Sequence, residues 1–157
     1  MMRILACSLG AVGAAIARAD APRAALPPAV DLAADGVASR RERRPILLFF
    51  DRDDCPYCER ALREFLVPMA GDPAWRDQAI YRQVEVDRGT PLVDFAGAST
   101  THRAFAARYR VSFAPTVVVV DARGETIGDP LVGLTTVDFY GAYLEDAVNA
   151  GLRKLRG

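Results

Sequence analysis

The chain has 157 residues, enough for one domain with a proper core and too few for two. With 51% apolar and 25% charged residues it has the balance of an ordinary globular protein. Its 20 basic and 20 acidic residues cancel and no basic block stands out, which argues against a nucleic-acid partner.

The N-terminus reads as an export signal. Met1-Met2-Arg3 is a short positive start, Ile4 to Ala17 is an apolar run of small residues, and Ala17-Arg18-Ala19 is an A-x-A cleavage pattern. That run is shorter than the roughly 20 residues that span a bilayer, so residues 1–19 are expected to be a signal peptide rather than an anchor. Ile4-Leu5-Ala6-Cys7 loosely resembles a lipobox, but Cys7 lies too close to the start to leave a full apolar region before it. Cleavage removes Arg3, Arg18 and Cys7, leaving 18 basic and 20 acidic residues and two cysteines, Cys55 and Cys58. An exported chain with one close cysteine pair is unlike a disulfide-stapled scaffold. It points to thiol chemistry in an oxidising compartment, the bacterial periplasm.

Asp20 to Pro28 is Ala/Pro-rich and reads as an extended leader. Val30 to Arg44 is expected to form a helix covering one sheet edge, although Gly36 weakens it, with Arg40 to Arg44 as its solvated end. Ile46 to Phe50 is a continuous apolar run of the kind buried on both faces at the centre of a sheet. Asp51-Arg52-Asp53-Asp54 is a polar turn, and Cys58 to Met69 has the spacing of a helix packed on one face, with Pro68 near its end. A short helical turn at residues 73–78 holds Trp75, and Ile80 to Val86 alternates as a strand. Residues 87–101 read as an inserted loop and Thr101 to Tyr109 as a second helix. Val117 to Val120 is a strand, Asp121-Ala122-Arg123-Gly124 a hairpin turn, and residues 125–127 the returning strand. Gly133 breaks the chain before a C-terminal helix, Val137 to Leu155, whose apolar face is read as Phe139, Tyr143, Leu144, Ala147, Val148 and Leu152.

Cys55-Pro56-Tyr57-Cys58 stands between a strand and a helix. Two thiols at this spacing close and reopen a small disulfide ring, and the helix N-terminus favours thiolate over thiol. The first cysteine is expected to be exposed and the second more buried. Pro56 costs nothing at a helix start, where its missing N–H has no partner to lose.

With these elements the chain resembles the thioredoxin superfamily over Ile46 to Leu155. The matching features are an apolar strand, Cys55-Pro56-Tyr57-Cys58 opening a helix, Pro115-Thr116 starting a later strand, a hairpin at Arg123-Gly124, and Gly133 before the last helix. The longer stretch before Pro115 is similar to that of periplasmic thioredoxin-like proteins of the SoxW and DsbD-terminal-domain type. The resemblance implies an α/β thioredoxin fold, a central mixed sheet flanked by helices on both faces. Its domain would be residues 45–157, after a leader and N-terminal helix at 20–44. It implies a protein-disulfide oxidoreductase with no cofactor and no metal, in which Cys55 is the nucleophile and Cys58 the resolving thiol. Pro56, Tyr57, Ala114 and a cis Pro115 would meet the substrate. The implied partners are protein thiols and disulfides and an upstream membrane redox protein, the mature chain being monomeric and free of the membrane.

The sequence also departs from thioredoxins. Phe49 stands where they carry a buried acid, so that base is missing or replaced by water or Glu85. Asp54 replaces the tryptophan before the first cysteine, and Pro-Tyr is more typical of glutaredoxins. Asp51, Asp53 and Asp54 should disfavour the thiolate, which makes the couple more reducing and favours a reductase over an oxidase. His102, the only histidine, is expected at the surface. The alternative function is a Cu(I) metallochaperone using Cys55, Cys58 and His102, although copper-handling relatives usually space their cysteines by three residues. Glu59 in place of histidine excludes haem attachment, and the mature chain has too few Cys and His for structural zinc.

Overall fold

The computed structural model describes residues 23–157; the expected signal segment and Cys7 lie outside the described residues. The elements run α1 (Leu32–Glu42), β1 (Ile46–Asp51), α2 (Pro56–Ala61), a π-helical turn (Leu62–Leu66), α3 (Val67–Gly71), β2 (Ile80–Glu85), β3 (Pro91–Val93), β4 (Ser99–Thr101), α4 (His102–Arg108), β5 (Thr116–Val120), β6 (Leu131–Val132) and α5 (Val137–Arg156). A four-stranded sheet has the order β2-β1-β5-β6. β1 pairs parallel with β2 and antiparallel with β5, and β5 pairs antiparallel with β6.

The apolar run of β1 is central because both of its faces are buried. Leu47 and Phe49 share one core with Tyr81, Val117, Val119, the helical segment after Cys55 and α5. Ile46, Leu48 and Phe50 share the opposite core with Ile80, Val84, Val118, Val120, Leu32 of α1 and Phe105 of α4. The mixed sheet is therefore covered by helices on both faces. No described helix is long and apolar enough to cross a membrane.

α1 begins at Asp31, whose side chain accepts the amide of Ala34 at 2.9 Å, and ends at Arg43 in the left-handed region, φ 51°. Gly36, a weak residue for a helix, sits where a Cβ would come 2.4 Å from the carbonyl oxygen of Ala122. Its glycine is a packing requirement. Asp35 on the same helix holds Arg82 of β2 through a two-pronged ion pair, Nη2–Oδ1 at 2.5 Å and Nε–Oδ2 at 2.8 Å.

Pro68 neither ends nor sharply breaks its helix. Lacking an N–H and crowding the carbonyl four residues back, it follows a π-helical turn at Leu62–Leu66 that widens the backbone before α3 resumes. Residues 73–78 form hydrogen-bonded turns rather than a helix, with Asp72 Oδ1 accepting the amide of Ala74.

Three expectations are corrected, two in the strands and one in α5. The inserted stretch is not all loop, because β3 and β4 pair as a two-stranded ribbon around Asp94, whose Oδ1 accepts the amides of Ala96 and Ala98. Residues 125–127 do not form a full strand. Thr126 makes a single bridge to Val120 and Ile127 donates to Val119, after which Gly128 at φ 69° turns the chain away and the pairing strand is β6. In α5 the buried stripe is Tyr140, Leu144, Val148, Gly151 and Leu152, while Phe139 and Tyr143 face solvent. The helix is rotated so that Gly151 passes close to Pro45 and Val119, where a Cβ would meet Pro45 at 2.7 Å.

Candidate active site

Strand β1 delivers the chain to the dithiol. Asp54 adopts φ 50°, the backbone turns, and Cys55 becomes the N-cap of α2. Its Sγ accepts the amide of Cys58 at 3.2 Å, and its carbonyl accepts the amide of Glu59 at 3.0 Å. Cys55 and Cys58 are joined as a disulfide with Cα atoms 5.2 Å apart. Pro56 occupies the first helical position, and Tyr57 projects outward with 65% of its surface exposed. Cys58 is fully buried in the core with Phe49, Ala61 and Leu62, and Cys55 is 7% exposed, more covered than expected. The order of access is as expected, with the first sulfur the more reachable.

The cover on Cys55 comes from the loop before β5. Cys55 Sγ lies 3.9 Å from the carbonyl oxygen of Ala114, and the Ala114–Pro115 peptide bond is cis. Thr116 Oγ1 donates to the carbonyl of Phe113 at 2.8 Å, pinning this turn. Pro115 O accepts the amide of Gly133 at 2.7 Å, which brings β6 alongside. The structure thus brings Cys55, Pro56, Tyr57, Cys58, Ala114 and Pro115 to one end of the sheet. It adds two apolar residues that the sequence reading passed over. Phe113 is 68% exposed, and Val132 is exposed opposite Thr116 in the β5–β6 register. Solvent-facing aromatic and branched side chains beside a disulfide fit contact with a polypeptide partner.

A buried acid is present after all, two residues from where the sequence comparison looked for it. Asp51 is 3% exposed and lies on the face of β1 that carries Leu47 and Phe49, the face packed with Cys58. Its Oδ2 accepts from Gln83 Nε2 at 2.7 Å, while Oδ1 has no hydrogen-bond partner among the described residues. Burial pushes the Asp51 carboxyl up from 3.8 to about 6, against the opposing hydrogen bond from Gln83 and with the charge of Glu85 adding to the rise. Glu85, one of the expected substitutes for that base beside water, pairs with Asp51 in the β1–β2 register and lies beside it. Reading Asp51 as the start of a polar turn hid this. The alternation of Leu47 and Phe49, extended by one step, reveals it.

Of the two surface acids before the disulfide, Asp53 is neutralised, while Asp54 is exposed and has no ion pair among the described residues. Asp53 pairs with Arg88 at 2.6 Å and lies 3.9 Å from Arg23, which also approaches Glu59 at 3.5 Å.

His102 is not at the surface. It is 1% exposed at the start of α4, its Nδ1 accepts the amide of Glu85 at 3.0 Å, and its Nε2 donates to the carbonyl of Ala29 at 2.8 Å. Both ring nitrogens tie elements of the fold together, so the histidine is a structural staple rather than a free copper ligand. The apolar environment of α4 explains the burial, because satisfying both nitrogens removes the cost of enclosing the ring. Among the described residues no group of three His, Cys, Asp or Glu side chains is placed to hold a metal ion.

The family description "Thioredoxin-like domain" matches residues 32–147. No curated protein sequence matches the chain. Among solved structures it is similar to a thioredoxin-fold protein from Helicobacter pylori, at 23% identity and TM-score 0.53, covering 70% of this chain and 72% of that one. It is also similar to Trxlp from Edwardsiella tarda, at 24% identity and TM-score 0.50, covering 73% and 91%. Fasciola hepatica thioredoxin matches at 18% identity and TM-score 0.53, covering 79% and 97%. Identities this low carry the fold alone. The family match runs from α1 into α5 and encloses the disulfide, Pro115 and the whole sheet. The matched residues carry the mixed sheet covered on both faces and the bridged Cys-x-x-Cys at the start of a helix, and the chain belongs to the thioredoxin-like domain family.

Proposed function

We propose that the protein is an exported thiol–disulfide oxidoreductase that reduces disulfides in protein partners. The observation that carries this reading is the Cys55–Cys58 disulfide at the head of a helix, with Cys55 Sγ 3.9 Å from the carbonyl of Ala114. In the reduced protein the Cys55 thiolate attacks one sulfur of a partner disulfide, forming a mixed disulfide and releasing the other partner sulfur as thiolate. Cys58 gives up its proton and attacks Cys55 Sγ, releasing the second partner sulfur. Two electrons leave the protein, its own disulfide closes, and both partner sulfurs end as thiols. Asp51, buried on the face packed with Cys58 and held near pH 6, is suited to take that proton directly or through water.

Pro56, Tyr57, Ala114 and Pro115 form the contact rim in this scheme. The peptide groups of Ala114 make no backbone hydrogen bond among the described residues, leaving them to pair with an extended partner segment. The reducing direction follows from charge. With Asp53 paired, the carboxylates that still oppose a thiolate are Asp54 and the ionised form of Asp51. A disfavoured thiolate destabilises the reduced couple and makes it a better donor. Export to the periplasm rests on the signal pattern of residues 1–19. Regeneration of the dithiol then requires an upstream membrane electron donor, and the cleaved chain acts as a monomer.

The test is reduction of a protein disulfide by the chemically reduced chain. Cys55→Ser is expected to abolish it, and Cys58→Ser to accumulate a mixed disulfide visible on non-reducing gels. An active Cys55→Ser protein sinks the proposal. The reduction potential of the Cys55–Cys58 couple is expected nearer to about −270 mV than to about −120 mV. A value at the oxidising end would reverse the direction of electron flow.

A further inference from the structure

A groove opens beside the disulfide on the side of Ala114. It has a volume of about 290 Å³ and is walled by Arg52 from the turn after β1, Val86 beyond β2, Arg103 and Ala106 of α4, and Phe113 with Ala114. Ala114 lines it, and the carbonyl oxygen of Ala114 lies 3.9 Å from Cys55 Sγ, so a segment lying in the groove passes close to the reactive sulfur. Val86, Ala106 and Phe113 supply apolar lining, and the two charged residues on its walls are both cations.

Neither cation is paired with a carboxylate among the described residues. Arg103 is held in place by donating to the main-chain oxygen of Asp87, which neutralises no charge. No acid is among the residues that line the groove. Asp53 is taken by Arg88 and Arg23, and Asp87 Oδ2 accepts the amide of Asp53 at 3.1 Å. Two uncompensated guanidinium groups thus flank the path by which a partner segment reaches Cys55. Arginine offers planar, two-pronged donation that matches a carboxylate better than a neutral amide.

We propose that this groove sorts disulfide partners by charge, taking an extended segment that carries Asp or Glu next to its reactive cysteine. The inference rests on the oxidoreductase reading and specifies its substrate class. Apolar contacts along Val86, Ala106 and Phe113 hold the segment. Arg52 and Arg103 set which segments dock fast, and basic segments are turned away by like charge.

The experiment uses two peptides identical except for the residues flanking a single cysteine, Glu in one and Lys in the other. The cysteine is joined in a mixed disulfide to a chromophoric aromatic thiol. The reduced wild-type chain is expected to favour the Glu peptide about fivefold in kcat/KM at low salt, the scale of two exposed ion pairs, with the preference shrinking at high salt. Arg52→Glu/Arg103→Glu is expected to favour the Lys peptide; the ratio between peptides is the readout, so a general change in activity cancels. Equal rates on both peptides in the wild type, or a Glu preference that survives the double reversal, overturn the charge sorting and leave the oxidoreductase reading standing. A wild type that reduces neither peptide nor the free aromatic disulfide sinks the oxidoreductase reading. The groove is then judged on binding alone. Cys55→Ser/Cys58→Ser should bind the Glu peptide, its cysteine methylated, more tightly than the Lys peptide, and equal affinity overturns the sorting.

Discussion

Asp51 shows how one step of strand periodicity changes a residue's chemistry. Its neighbours Arg52, Asp53 and Asp54 are more exposed, but its own position in β1 turns the carboxyl into the core beside Gln83. Folding raises its pKa from 3.8 to about 6, so the native state holds this proton more tightly than the unfolded chain does. The sign follows. Well below pH 3.8 both states are protonated and the buried acid costs nothing; as pH rises from 3.8 to about 6 the unfolded chain ionises first and stability falls, and above about 6 the native state carries a charge in a poorly solvated place and the loss is complete. At about 1.36 kcal/mol per unit, and allowing for partial solvation, the penalty is about 2 kcal/mol at pH 8. Asp51→Asn keeps an oxygen for Gln83 Nε2 and removes the charge. In the oxidised protein it is expected to gain about 2 kcal/mol over wild type in urea unfolding at pH 8, and little at pH 4. A variant less stable than wild type at pH 8 would show that the carboxylate is stabilised by its surroundings. If Asp51 also serves Cys58, the same variant resolves mixed disulfides more slowly, the expected combination for a group whose burial serves chemistry rather than stability.

At the scale of elements, glycines in helices separate what sequence reveals from what it hides. Gly36 in α1 and Gly141 in α5 look alike in the sequence, each a weak residue inside a helical pattern. Packing makes them opposites. A Cβ on Gly36 would sit 2.4 Å from the main-chain oxygen of Ala122, which cannot step aside without moving the turn after β5, whereas at Gly141 the nearest atom is a ring carbon of Phe65 at 3.7 Å. Gly36→Ala is therefore expected to lose about 2 kcal/mol despite alanine's higher helix propensity. Gly141→Ala is expected to gain about 0.5–1 kcal/mol. Paired urea or thermal unfolding of the two variants checks both, and shifts of the same sign would refute the assignment. The same distinction governs the strands. The double-sided burial of β1 was legible because five apolar residues in a row leave no polar face. The ribbon β3–β4 was not, because its strands are three residues each and their pairing depends on Asp94 turning the chain between them.

For the molecule as a whole, what sequence made legible was the set of local signals. These were the dithiol before a helix, the Pro115-Thr116 strand start and the turn at Gly124. What it hid were contacts between distant segments, chiefly those of His102, which joins α4 to Ala29 and Glu85 through a ring that local composition places at the surface. The N-terminal segment before α1 belongs to this hidden class. Its Ala/Pro composition reads as a mobile leader, yet Ala29 N donates to Gln83 O and Gln83 N to Pro27 O, each at 2.9 Å, as if adding a short strand outside β2. Leu26 donates to Gln83 Oε1 at 2.9 Å and is itself buried, as is Ala29. Gln83 thereby links this segment to Asp51 through one side chain. A chain starting at Asp20 keeps all of these contacts; one starting at Val30 loses them and leaves His102 Nε2 without its acceptor. Burial of one leucine at about 2 kcal/mol and four hydrogen bonds at about 0.5–1 kcal/mol each set the expected loss at about 5 kcal/mol. Freed from Leu26, Gln83 also holds Asp51 less firmly, so the shorter chain is expected to resolve mixed disulfides with an altered pH dependence as well as to unfold earlier. Equal stability of the two chains in urea would show that the segment rests on the sheet without contributing to it.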